Sequence, residues 1–176
     1  MKCYKCSTNE AEIEYPNGKL CKNCFLDIIY KRIEKDIKQQ PFKKGEKVLV
    51  FGQLTHSILS KINKIDIDVI ERNHEYTKSM DISQFNKVVI PWTADDEAEA
   101  FYESITSPEP TFEENLKIVK LFRSLSDEEV LQTAKILCIE HPQKNRNPDI
   151  ERIRKKYQSS MFGLAKSSEE IKKALQ

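Results

Sequence analysis

The sequence predicts an α/β fold, a small parallel sheet flanked by helices, with a zinc ribbon or knuckle at its amino-terminal end. Three observations predict it. Two Cys-x-x-Cys pairs, Cys3-Tyr-Lys-Cys6 and Cys21-Lys-Asn-Cys24, stand at the front of the chain. Three short apolar runs, Lys43–Phe51, Asp66–Ile70 and Lys87–Pro91, are separated by helical or loop stretches, the alternation that favours parallel strands joined by crossovers. The second half returns apolar residues at helical spacing.

The chain has 176 residues, of which 39% are hydrophobic and 32% charged, enough for one compact domain beside a small metal-stapled module. No apolar run approaches the length of a membrane span. The net charge of +1 conceals segregation: residues 1–47 carry eleven basic and seven acidic side chains, 93–140 carry four and twelve, and 141–176 carry nine and four. Such an arrangement suits a polyanion at the basic ends and a basic protein at the acidic stretch, although ordinary solvated faces explain it equally well.

Each Cys-x-x-Cys pair brings two sulfurs to one side of a tight turn, and two pairs complete a tetrahedral zinc shell with no position left for water or substrate. Cys3, Cys6, Cys21 and Cys24 are therefore expected to hold a structural zinc ion. Disulfides, a redox pair and an iron–sulfur cluster are the alternatives. There is no apolar secretory segment at the amino terminus and the fifth cysteine, Cys138, lies far away, so a reducing, cytoplasmic setting is expected. Between the pairs, Ala11–Tyr15 and the turn Pro16-Asn17-Gly18 predict a hairpin.

After Cys24, apolar residues Phe25, Ile28, Ile29, Ile33 and Ile37 return at helical spacing beside a Lys/Arg face, so a basic helix runs to about Gln40. Lys22, Lys31, Arg32, Lys35, Lys43 and Lys44 are candidate phosphate contacts, since each can neutralise one phosphate. Lys43–Phe51 reads as a buried first strand entered through a turn at Gly45. Gly52–Ser57 leads into a short helix over Ile58–Ile62. Asp66–Ile70 and Lys87–Pro91 read as further strands, with 71–86 polar and irregular. Thr93 caps a helix over Ala94–Ile105 with Ala98, Phe101, Tyr102 and Ile105 inward. Ser107–Pro110 breaks it. Leu116, Val119, Leu121 and Phe122 are expected on the next helix, and Ser126–Glu129 is a capping box opening another that runs to about Glu140, with Cys138 as a small buried hydrophobe. Gln143–Pro148 is a polar linker, followed by a basic helix over Asp149–Tyr157, the Met161–Leu164 tract and a last helix over Ser167–Leu175.

The order of these parts resembles the PP-loop tRNA 2-thiolation family. The resemblance rests on Cys21-Lys-Asn-Cys-Phe25, the basic helix, Lys43-Lys-Gly-Glu-Lys-Val-Leu-Val50, Val88-Val-Ile-Pro-Trp-Thr93, and Ile150–Tyr157 with Met161–Ser167. It implies three parts: a zinc module over 1–24, a connecting helix over 25–41, and a truncated PP-loop, Rossmann-like domain over 42–176. A PP-loop reads Ser-Gly-Gly-Lys-Asp-Ser, in which glycines admit phosphate to the backbone and a lysine neutralises it. Here Gly52, Gln53, Leu54, Thr55, His56 and Ser57 stand instead, and only Ser57 agrees. The family's mid-domain cysteine pair and second zinc module are missing too. The chain thus looks like the family's noncatalytic second subunit with a degenerate loop. That implies no enzyme activity of its own. It also implies a catalytic PP-loop thiolase and tRNA as partners at wobble position 34, with a ubiquitin-like sulfur carrier as a further candidate partner and the acidic stretch 94–140 as a candidate partner face. The alternative is a free-standing zinc-dependent RNA- or protein-binding adaptor outside thiolation.

Overall fold

The computed structural model describes residues 1–72, 77, 80–106, 117–156 and 160–174. Four strands form its sheet: β1 (Lys47–Phe51), β2 (Asp68–Arg72), β3 (Lys87–Thr93) and β4 (Ile118–Phe122). They lie in the order β2-β1-β3-β4 and every pairing is parallel. Because β1 leads to β2 on one side while β3 and β4 follow on the other, the strand order reverses between β1 and β3. In parallel α/β sheets the crevice beyond the carboxyl ends of the strands at such a reversal is where ligands bind.

Side chains alternate across the strands and so divide the core in two. Val48 and Val50 of β1, Val89 of β3 and Val119 and Leu121 of β4 face a cluster containing Phe25, Ile29, Ile33, Leu54, Ile58 and Leu59. These come from α1 (Lys22–Ile37) and α2 (Gln53–Ile62); Val130 and Ala134 of α4 (Asp127–Leu137) join them. On the opposite face Leu49, Phe51, Val88 and Ile90 pack with Phe85. A third cluster, Ala98 and Ile150 with Leu164, joins α3 (Ala94–Thr106), α5 (Pro148–Lys156) and α6 (Ser160–Ala174).

The local signals explain most boundaries. Pro91 has no N–H to give the ladder, and the β3–β4 register shifts between Ile90 and Thr93, as expected of proline within a strand. Thr93 then closes a reciprocal cap on α3, its Oγ1 accepting from the Asp96 amide at 3.2 Å while its own amide donates to Asp96 Oδ2 at 2.7 Å. The expected capping box of α4 is present, Ser126 Oγ accepting from the Glu129 amide and Glu129 Oε2 from the Ser126 amide.

Several expectations are corrected. Ile118–Phe122 is a strand, not helix: β4 buries residues on both faces, so its apolar run lacks the alternation that marks a half-exposed strand. The Gly52–Ser57 stretch is not a loop leading into a helix, because α2 begins at Gln53 directly after Gly52. Helix α1 starts at Lys22, inside the second cysteine pair. Ile105 is exposed, in the last turn of α3, and Cys138 is exposed as well, at the carboxyl cap of α4 with a left-handed φ of 54°. The Met161–Leu164 tract and the last helix are one helix, α6. The expected break at Ser107–Pro110, Leu116, Tyr157 and Leu175 lie outside the described residues.

Candidate metal centre and the sheet edge

The two cysteine pairs converge because the front of the chain doubles back. Lys2 bridges Glu10 and Ile13 bridges Leu20 in antiparallel pairs, while Leu20, with no exposed surface, and Ile13 anchor the hairpin to the main core. Cys21 stands at the N-cap position of α1 and Cys24 lies in its first turn, so the helix start sets the spacing of the second pair. The four Sγ atoms lie within 4.8 Å of one another; Cys6 and Cys21 are 3.9 Å apart, far beyond a disulfide bond, and all four are free thiols. Asn9 Nδ2 approaches Cys21 Sγ at 3.7 Å.

Titration at this cluster is uneven. Burial works against the Cys3 thiolate, yet the backbone amides of Cys6, Cys21 and Lys5 outweigh it and hold the thiol at about 6. The amides of Asn9 and Thr8 lower Cys6. Cys24 is pushed up to about 12, first by burial and then by hydrogen bonding with the other three sulfurs. Four thiols this close cannot all ionise side by side without a cation among them. The donor set therefore fits one metal ion in a tetrahedral sulfur shell, compatible with a zinc knuckle.

At the reversal between β1 and β3 the chain passes from β1 into α2 through Gly52 alone. Gly52, with φ 86°, turns the chain from β1 into α2, and its amide donates to the Arg72 carbonyl at 2.8 Å. Leu54 and Thr55 are each 1% exposed, so Leu54 occupies core in place of a flexible loop. The Thr55 hydroxyl is buried with no hydrogen-bond partner among the described residues. His56 Nδ1 is paired with Glu71 of β2, and Gln53 and Ser57 face solvent.

Within the acidic stretch 94–140, several of the described acids are paired inside the fold. Arg146, its side chain 3% exposed, sits among Asp96, Glu99 and Asp127 at 2.6–2.8 Å. Burial works against its charge, and these carboxylates more than offset that. Lys144 joins Asp96 and the Pro91 carbonyl. The expected polar linker is thus a strap tied across the end of β3. Glu97 accepts from Trp92 Nε1 and Lys120, and Ser168 of α6 donates to it. Most of these acids are spent inside the fold, and charge counting along the sequence had no means of pairing them with residues fifty positions away.

The candidate phosphate contacts divide. Lys22 pairs with Glu12 and Lys31 with Asp27. Arg32 pairs with Glu129, donates to the Ser124 carbonyl and lies over the Phe162 ring, which makes it a clamp between α1 and the start of α4. Lys35, Lys43 and Lys44 are exposed, with no ion pair among the described residues. Sequence reasoning missed Asn9 beside the sulfurs; only its place between the cysteine pairs could have pointed to it.

Fold and site together define a class: a parallel α/β protein with its strand order reversing beside the first strand and, at its front, a cluster of four cysteines able to hold a metal ion. No protein-family model matches the chain, and no curated protein sequence matches it. Among solved structures it is similar to the U34-tRNA thiolase NcsA from Methanococcus maripaludis, described with its [4Fe-4S] cluster. The TM-score is 0.69 at 14% identity, over 98% of this chain and 87% of that one. At such identity the likeness establishes the shared fold.

Proposed function

We propose that this protein is a noncatalytic partner subunit in 2-thiolation of the wobble uridine, position 34, of tRNA, binding a catalytic PP-loop thiolase and tRNA. The observation that carries this reading is the closed turn between β1 and α2 on a thiolase-like fold. Where the family's loop has further glycines and a lysine, Leu54 and Thr55 stand with buried side chains. The strap held by Lys144 and Arg146 crosses the same edge of the sheet one strand away.

The metal in this reading is zinc, held by Cys3, Cys6, Cys21 and Cys24. Zinc–sulfur bonds of about 2.3 Å set sulfur–sulfur edges of about 3.8 Å in a tetrahedron, close to the 3.9 Å between Cys6 and Cys21. A four-iron cube spreads its thiolates wider. With all four positions taken by protein, the ion supplies folding energy and no chemistry.

Deleting the gene and measuring 2-thiouridine in bulk tRNA tests the role. Loss of the modification, restored by the wild-type gene, together with recovery of a PP-loop thiolase on the tagged protein, supports it. Unchanged 2-thiouridine contradicts it and leaves the adaptor reading.

A further inference from the structure

The metal module carries an aromatic ring that the core does not use. Tyr4, at the tip of the first cysteine turn, is 53% exposed. Its position is nevertheless fixed: its amide donates to the Lys19 carbonyl at 2.9 Å, and its side chain stands over Gly18, where an added Cβ would meet Tyr4 Cβ at 3.3 Å. Gly18 has φ +128°, a conformation L side chains rarely adopt, so that position keeps the ring's seat clear. The base of the side chain lies beside Gly18, and the residue is largely open to solvent.

Cations run from this ring along α1. Lys5 follows Tyr4 directly in the chain, and its ammonium turns towards α1. It shares the Asp27 carboxylate with Lys31, at 2.5 and 3.2 Å, so two ammonium groups meet one carboxylate. Lys35 and Lys38 follow Lys31 at four and seven positions, on the same helical face, in steps of about 6 and 4.5 Å along the axis. Both are exposed, and neither makes an ion pair among the described residues, Glu34 beside them included.

We propose that Tyr4 is a stacking platform for an unpaired nucleobase, and that Lys5, Lys31, Lys35 and Lys38 carry the adjoining phosphates of a single-stranded RNA segment. This rests on the RNA-binding part of the proposed function and gives it a place. A rigid aromatic face beside spaced cations is the combination that holds unpaired RNA, since every base offers a π-face and each phosphate one charge.

The test uses the full-length, metal-loaded protein and a short fluorescent single-stranded oligouridine, read by anisotropy. Tyr4→Phe should bind within about twofold of wild type, while Tyr4→Leu and Tyr4→Ala should bind about 5- to 150-fold more weakly. An abasic strand should lose this sensitivity to Tyr4. Replacing Lys31, Lys35 and Lys38 together by Ala should flatten the salt dependence. Metal content confirms that each variant keeps its module, and Tyr4→Leu keeps apolar bulk over Gly18 should Tyr4→Ala lose metal. Equal binding by wild type and Tyr4→Leu overturns the stacking role while leaving RNA binding intact. No binding of RNA by the wild-type protein, or binding of polyglutamate instead, overturns both this inference and the tRNA contact it rests on.

Discussion

The first twenty-odd residues and the sheet are held by different forces. The front segment has two isolated bridges and buries little apolar surface beyond Ile13 and Leu20. The sheet has four parallel strands with apolar residues on both faces. A segment that short cannot offset its chain entropy by burial alone, and four sulfurs within 4.8 Å offer a site at which a metal would answer that need. The two regions still share one core, because Cys3, Ile13, Leu20 and Cys21 join the cluster built around Phe25 and the sheet. A metal held by the four sulfurs would order what the sheet then covers.

The widest separation between the two regions should come from the sulfurs. Cys21→Ser, or a strong chelator, should abolish metal binding, which contributes apparent energies of about 10–16 kcal/mol in structural zinc sites. Limited proteolysis should then cut within the first two dozen residues while hydrogen exchange in β1 and β3 stays slow. Global loss of protection would show the regions to be inseparable.

The body should be most sensitive at Arg146. Arg146→Met leaves Asp96, Glu99 and Asp127 without their shared cation, and urea unfolding should show a loss of about 3–5 kcal/mol. A loss under 1 kcal/mol would mean the strap is not part of the body's support. Core truncation at Ile29, which is fully buried, should cost about 2–5 kcal/mol by the same measurement.

The pH dependence also belongs to the body. Burial alone would raise the Asp96 carboxyl, but the charges of Lys144 and Arg146 outweigh it and hold it below its usual value. A depressed folded value means stability that is complete above the ordinary carboxylate range, about pH 4, and lost as pH falls through the Asp96 value. Asp96→Asn should therefore destabilise the protein at neutral pH, with the gap to wild type closing in acid. A gap independent of pH would contradict this. The smallest effect expected is at the α4 cap, where Ser126→Ala should cost about 1 kcal/mol.

The front region was the more legible of the two. Cysteine spacing names ligands, geometry and chemistry together, and all four converge as expected. The strands β1 and β3 announce themselves by dense apolar runs, and the cap of α4 by Ser126 and Glu129. β4 was hidden by Lys120, which interrupts its apolar run yet folds inward against Glu97 and the Trp92 ring, so that Val119 and Phe122 take on a helical spacing by coincidence. Arg32 and the acids after Thr93 read as free surface charge because their partners, Glu129 and Arg146, stand far along the chain. Local pattern carries spacing; it does not carry long-range pairing.

The proposed function requires that the crevice at the end of β1, beside Leu54, Thr55 and the first turn of α2, takes no nucleotide. Calorimetric titration of the metal-loaded protein with ATP and magnesium measures this directly. The account predicts no saturable heat; a saturable micromolar isotherm, abolished by Gly52→Val, would contradict it.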